Sequence, residues 1–336
     1  MFGSLKNKKV QTRLLNAAFA LLAIVSLYYA FAGKDLQELT LQLKAANYFW
    51  VIPVLGSALL GSIARALRWQ LLLDAGGNST RLTQTFYPLM YGYFVNIGTP
   101  RLGEFARCIA LEQVAKVPFA KSFGTVFTER AIDLVCLLLV VFSAFVLQAD
   151  FLGNFFYDAI YTPINIKTKG NAFAIIIGLL VAGFVGIAFI FFFLNRLNKT
   201  KPANKIILFV KGVFEGIISV FKLRKKGLFL LYTLIIWFSY FLTSYLWFFA
   251  FEATENLTVA AAFTVMGVGA IAKSTPIQGG GMGAYHFLVG KLLLLYQLSG
   301  ISTLAYATLN HGTQLVYNIV LGIAAVVWLL VAKRKV

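Results

Sequence analysis

Apolar residues run almost unbroken through six stretches of the chain: 14–32, 49–67, 123–147, 172–194, 228–251 and 303–332. A helix rises about 1.5 Å per residue, so each stretch reaches across the ~30 Å hydrocarbon layer of a bilayer. Two further regions break the pattern. Residues 83–98 and 102–117, and then 258–273 and 283–298, form pairs of apolar pieces of about sixteen residues, short for a full crossing. The first pair is divided by Thr99-Pro100-Arg101 and the second by Thr275-Pro276-Ile277-Gln278-Gly279-Gly280-Gly281. Proline and glycine at those points end helices. The pattern predicts an all-α polytopic membrane protein with six spans and two broken helical pairs.

Composition agrees with that pattern and removes other classes. Sixty per cent of the 336 residues are apolar and 12% are charged, with a mean hydropathy of +0.80, which excludes a soluble enzyme. The two cysteines, Cys108 and Cys136, fit no metal or redox spacing and read as apolar filler. A formal net charge of +18 would suggest nucleic acid in a soluble chain, but the placement of the charge argues against that partner. Lys6, Lys8, Lys9 and Arg13 precede the first stretch, Lys333, Arg334 and Lys335 follow the last, and nine basic residues crowd 196–226. Basic loops of this kind lie on the cytoplasmic side and attract anionic lipid heads. The first stretch carries no small-residue cleavage site after it and is expected to remain as a helix.

Charge also constrains topology. With the N-terminus inside, the 196–226 loop and the C-terminus are inside only if each broken pair makes an even number of crossings. The loop of Glu252 and Glu255, without Lys or Arg, is then outside. Re-entrant hairpins and two full crossings both satisfy this parity, and the shortness of the pieces favours hairpins. The order of segments repeats: span, amphipathic segment (35–46; 203–221), span, broken pair, span. Thr275 follows Thr99 by 176 residues and Asn310 follows Glu129 by 181. The expected organisation is one membrane domain over 1–336, made of an inverted repeat over 14–147 and 172–332. Such repeats, with discontinuous helices meeting at depth, recur in transporters.

Irregular backbone is tolerated in a membrane only where protein or water surrounds it, so the two breaks mark a cavity. Thr99 is placed to cap a helix beginning at Pro100, Arg101 adds charge there, and Arg107 follows six residues on. Backbone donors, a helix dipole and guanidinium groups suit an anion, phosphate above all. In the plainer alternative Arg101 pairs with Glu104. Gly279, Gly280 and Gly281 would let backbone approach a ligand, or merely allow tight packing. Glu129, Arg130 and Asp133 interrupt an apolar span; Arg130 and Asp133 can pair at i,i+3, which leaves one carboxylate for a cation, a proton or Arg101, unless the cluster neutralises itself to join helices. Asn310 and Gln314 occupy the matching face of the second half. Arg65 and Arg68-Trp69 read as a helix anchor at the cytoplasmic surface. No nucleophile motif, nucleotide loop or metal spacing occurs, so neither catalytic residues nor a cofactor or metal is expected.

The stretch Asn96-Ile97-Gly98-Thr99-Pro100-Arg101-Leu102-Gly103-Glu104-Phe105-Ala106-Arg107, with Thr128-Glu129-Arg130-Ala131-Ile132-Asp133 and the Thr275–Gly283 run, resembles the membrane region of the lysylphosphatidylglycerol synthase/flippase family. The resemblance covers nearly the whole chain and stops at Val336, where larger members continue into a synthase domain. It implies lipid translocation in a cell (cytoplasmic) membrane, with anionic lipid heads as ligands and a separate lipid-modifying enzyme as a conceivable partner. The substrate-binding set is then Thr99, Arg101, Glu104, Arg107, Glu129, Arg130, Asp133, Thr275, Gly279, Gly280, Gly281, Asn310 and Gln314. A small-solute transporter and a membrane-embedded lipid-transferring enzyme are the alternatives.

Overall fold

The computed structural model describes residues 21–22, 24–99, 101–149, 151, 162, 166, 171, 220, 223–274 and 278–333. Its regular elements are helices: α1 (Leu36–Ala45), α2 (Val51–Ala75), α3 (Leu82–Gly98), α4 (Gly103–Ala115), α5 (Phe119–Leu147), α6 (Lys226–Leu246), α7 (Val259–Ser274), α8 (Ala284–Leu295) and α9 (Gly300–Lys333). Asp35 starts α1 by accepting hydrogen bonds from the Gln37 and Glu38 N–H groups. A 3-10 turn leads into α2 and another extends α6.

Tyr48–Ala75, Phe119–Leu147, Lys226–Ala250 and Gly300–Lys333 are long and apolar enough to span a bilayer. They coincide with four of the six predicted spans, and the chain is an all-α, multi-pass membrane protein. Of the stretch 14–32, the described part is helical from 24 to 31. The stretch 172–194 and, apart from Val220, the amphipathic segment 203–221 lie outside the described residues.

Both broken pairs fold back on themselves. In the first, the Gln84 side chain donates to the Val114 carbonyl and the Gly103 N–H to Asn96 Oδ1, so contacts between α3 and α4 run antiparallel. Glycine makes this approach possible, since a Cβ on Gly92 would stand 2.7 Å from the Gly103 carbonyl oxygen. In the second, a Cβ on Gly269 would meet the Tyr285 ring and one on Gly281 the Ala272 carbonyl, which again pairs α7 antiparallel with α8. The pieces have 17, 13, 16 and 12 residues, or about 18–25 Å of helix, less than the ~30 Å hydrocarbon layer.

Packing between distant parts is crosswise. α2 lies antiparallel to α6: the Asn47 N–H donates to the Ala250 carbonyl at one end, Ser57 to the Ser239 carbonyl in the middle, and Arg68 to Thr233 at the other end. The first hairpin leans on α9, where Tyr87 stacks on Trp328 at 4.7 Å and Phe94 crowds Gly322. The second leans on α5, where Gly267 faces Val140 and Val141 and Gln148 donates to Thr264. The largest apolar core gathers Trp247, Phe248, Val265, Tyr285 and Tyr306 from α6 to α9.

Candidate functional site

The charges of α5 lie at the centre of a buried ionic network. Spacing of three and four residues puts Glu129 and Asp133 on one helix face, toward α2 and α4. Arg107 of α4 binds Glu129 at 2.5 Å. Arg68 of α2 reaches Asp133 at 2.8 Å and Glu129 at 3.6 Å, and Arg65 reaches Asp133 at 3.2 Å. Arg130 joins Asp133 at 3.1 Å and Glu104 at 3.5 Å. The guanidinium of Arg107 also lies over Trp69 at 4.7 Å, and that of Arg68 over Phe229 at 5.6 Å.

Two expectations are corrected here. Arg65 and Arg68 are not surface anchors: they are 4% and 0% exposed, because α2 continues to Ala75 and the α5 carboxylates neutralise them. Nor is a carboxylate left over, since Glu129 and Asp133 each meet two or more arginines. The i,i+3 pair of Arg130 and Asp133 does form. A cavity of about 40 Å³ borders the network, lined by Tyr93, Asn96, Glu104, Arg107 and Arg130 among others.

The breaks meet beside this network. Arg101 donates to the Ser274 carbonyl at 3.3 Å, tying the first break to the end of α7, and α3 packs against Gln278–Gly281. Thr99 does not cap the helix that follows. Its N–H and hydroxyl both donate to the Val95 carbonyl at 2.9 Å, closing α3, and α4 begins only at Gly103. Arg101 does not pair with Glu104, whose carboxylate is on Arg130. It is exposed and holds a left-handed backbone, φ 65°, which is uncommon for a residue with a side chain.

Lys273, next to Ser274, was not among the residues singled out from the sequence. Its ammonium lies over the Tyr285 ring at 4.6 Å. Among the described residues no carboxylate lies within salt-bridge distance of Arg101 or Lys273. The signal available was a lysine in an apolar piece with no acidic residue within a helical turn.

Gly279, Gly280 and Gly281 have φ of 68°, 67° and 86°. The Gly281 position needs glycine for the bend itself, as a Cβ would lie 2.9 Å from the Ala272 carbonyl. Thr275 lies outside the described residues. On the α9 face, Asn310 is buried and donates to the Tyr306 hydroxyl at 3.2 Å, which donates to the Ser244 carbonyl, whereas Gln314 is exposed. Between α2 and α9 runs an apolar groove of about 680 Å³, lined by residues including Val51, Leu55, Leu59, Val316 and Val320. Among the described residues no cluster of His, Cys, Asp or Glu has the makings of a metal site.

No curated protein and no solved structure matches the chain. The profile of one family, described as the lysylphosphatidylglycerol synthase TM region, matches residues 14–322. With apolar spans, two folded-back helical pairs and a match over nearly its full length, the chain belongs to the family of the lysylphosphatidylglycerol synthase transmembrane region, whose function is membrane-lipid related.

Proposed function

We propose that the protein moves an anionic phospholipid, or a lipid linked to polyprenyl phosphate, between the leaflets of a cytoplasmic membrane. The observation that carries this reading is the pairing of Arg101 with the end of α7, where Lys273 supplies a second cation. Arg65, Arg68, Arg107 and Arg130 each meet a carboxylate. Among the described residues Arg101 and Lys273 do not, and an unneutralised charge kept among membrane helices marks a place for an opposite charge. The left-handed backbone of Arg101 is further support, because strain is retained where the side chain is needed.

In this reading Arg101 and Lys273 hold the phosphate, and Glu104, Arg107, Glu129, Arg130 and Asp133 fix the frame around it. The hydrocarbon tail lies in the groove between α2 and α9, whose apolar lining supports a lipid over a small solute. The broken pairs are re-entrant hairpins of two inverted halves. Support comes from their length and from the crosswise packing, in which each hairpin rests on the last helix of the other half. Both termini face the cytoplasm, as the basic loops require.

The test is lipid movement and lipid retention in vesicles reconstituted with variants of Arg101. Arg101→Gln should lose roughly 1.5–3 kcal/mol of a charge-assisted contact, a tenfold or greater loss of bound anionic lipid, with thermal stability unchanged. Arg101→Lys should recover part of it, since an ammonium keeps the charge without the planar fork. Unchanged transport by a folded Arg101→Gln protein would remove the residue from the mechanism. Transport of a soluble phosphate ester in place of lipid would establish the small-solute alternative.

A further inference from the structure

The chain has two histidines, 25 positions apart, and the fold puts them side by side. His286 of α8 and His311 of α9 have ring centroids 5.4 Å apart and are 6% and 4% exposed. Tyr285 stacks on His311 at 5.3 Å, Phe31 lies against His286 at 5.9 Å, and Lys273 sits over the Tyr285 ring. The pair therefore borders the bend of the second hairpin, next to the proposed phosphate site.

Hydrogen bonding fixes one tautomer. His311 Nε2 is 3.0 Å from the Gly279 carbonyl oxygen. A carbonyl can only accept, so the imidazole proton is on Nε2 and Nδ1 is a bare acceptor. Among the described residues neither His311 Nδ1 nor His286 Nδ1 has a hydrogen-bond partner, although both are buried. Buried polar atoms are nearly always satisfied, and an orphan of this kind asks for a missing donor. A water-borne proton is small enough to enter, whereas these buried atoms are closed to a lipid head.

We propose that the His286–His311 pair is a proton-binding site that couples a proton gradient to movement of lipid at the adjoining cations, a proposal that rests on the transport reading above. The proton arrives from water on one side, forms an N–H bond at a free Nδ1, and returns to water on the other side. Among the described residues the charged or titratable groups around the pair are Lys273 from α7 and Tyr285 from α8, with Tyr306 of α9 beyond Tyr285. Among the described residues no Asp or Glu pairs with any of them.

An added proton acts on the hairpin bend from both sides. It makes the Nε2–H bond to the Gly279 carbonyl charge-assisted and stronger, and it repels the Lys273 ammonium. Gly281 packs against the Lys273 backbone, so the two effects pull the bend away from the end of α7. The sign follows: the packing of the bend on the end of α7 belongs to the deprotonated pair, is favoured at high pH, and is lost as pH falls through the titration of the pair, while the Gly279 bond to His311 is kept.

The experiment uses full-length protein in lipid nanodiscs with ¹⁵N-labelled histidine, where two side chains give the whole spectrum. Expected are an Nε2–H tautomer for His311 at high pH and a coupled titration, so that His286→Gln shifts the His311 curve. His311→Gln, whose amide can still donate to Gly279, should shift the His286 curve. Lys273→Met should tighten proton binding about tenfold by removing a like charge. Two independent titrations like those of free imidazole, or no change between about pH 4 and 9, would overturn the proposal.

A second arm measures movement of a fluorescent anionic phospholipid in vesicles, with and without an imposed pH difference. The parent should respond at least about threefold and His311→Gln should not; an unaltered response in His311→Gln overturns the coupling. A parent that moves no lipid refutes the transport reading, while the spectra still decide whether the pair binds a proton.

Discussion

Arginine is carried inside this helix bundle together with its counter-charge. Arg65, Arg68 and Arg107 sit in a network where Glu129 and Asp133 return nearly every charge, and there the cost of desolvating each ion is met by several close partners. Arg68 touches both carboxylates. Arg68→Met should therefore cost roughly 3 kcal/mol by taking one guanidinium from both buried carboxylates, and Asp133→Asn in the same chain should cost more still, because it also removes the carboxylate that Arg65 meets. Thermal unfolding of both variants and the parent in one detergent measures this. The sequence displayed these residues but not their partners. Glu129, Arg130 and Asp133 were legible because charge inside an apolar run stands out, whereas Arg65 and Arg68 sat at the apparent end of such a run and looked like an interface anchor. Their burial depends on an α5 contact more than sixty positions away. Lys273 was hidden for a related reason, as a single lysine before a proline and glycine break has the look of a helix terminus.

Among the helices, hydropathy and length placed α5, α6 with its 3-10 extension, and α9 to within four residues but ended α2 eight residues early, because hydropathy reports what can cross a bilayer and falls off where Arg65 and Arg68 enter the helix. The turns between them were harder to read. Thr99-Pro100 resembles the start of a helix, yet the Thr99 hydroxyl competes for the Val95 carbonyl and closes the preceding one, a choice open to any threonine near a helix end. What brings α3 and α4 together is the absence of side chains at Gly92 and Gly103, and absence leaves little trace in a hydropathy pattern. Gly103→Ala would drive a methyl group into the Gly92 carbonyl. The expected loss is about 1–3 kcal/mol, the range for overpacking. It should be accompanied by disturbance of the neighbouring Arg107–Glu129 contact. Gly124→Ala, in α5 with nothing near its added methyl, should instead gain up to about 1 kcal/mol from helix propensity. Paired melting curves, with lipid retention as the second readout, test both changes.

For the molecule as a whole, the proposed orientation has both termini and residues 196–226 in the cytoplasm and Glu252 and Glu255 outside. A cysteine at Glu255 should react with an impermeant reagent in intact cells; labelling that needs permeabilisation would reverse the topology. The crosswise packing carries a further consequence, for biosynthesis. The first hairpin is complete once α4 has been made, but the helix it rests on, α9, begins at Gly300, about 185 residues after Ala115. At roughly 5–20 residues per second, synthesis leaves that hairpin waiting on the order of 10–40 s without its neighbour. During this interval the Gly322 and Trp328 side of its packing is open to lipid or to an insertion factor. A chain divided between the halves should accordingly accumulate only when both fragments are made in the same cell, and the N-terminal fragment alone should be degraded in pulse-chase experiments.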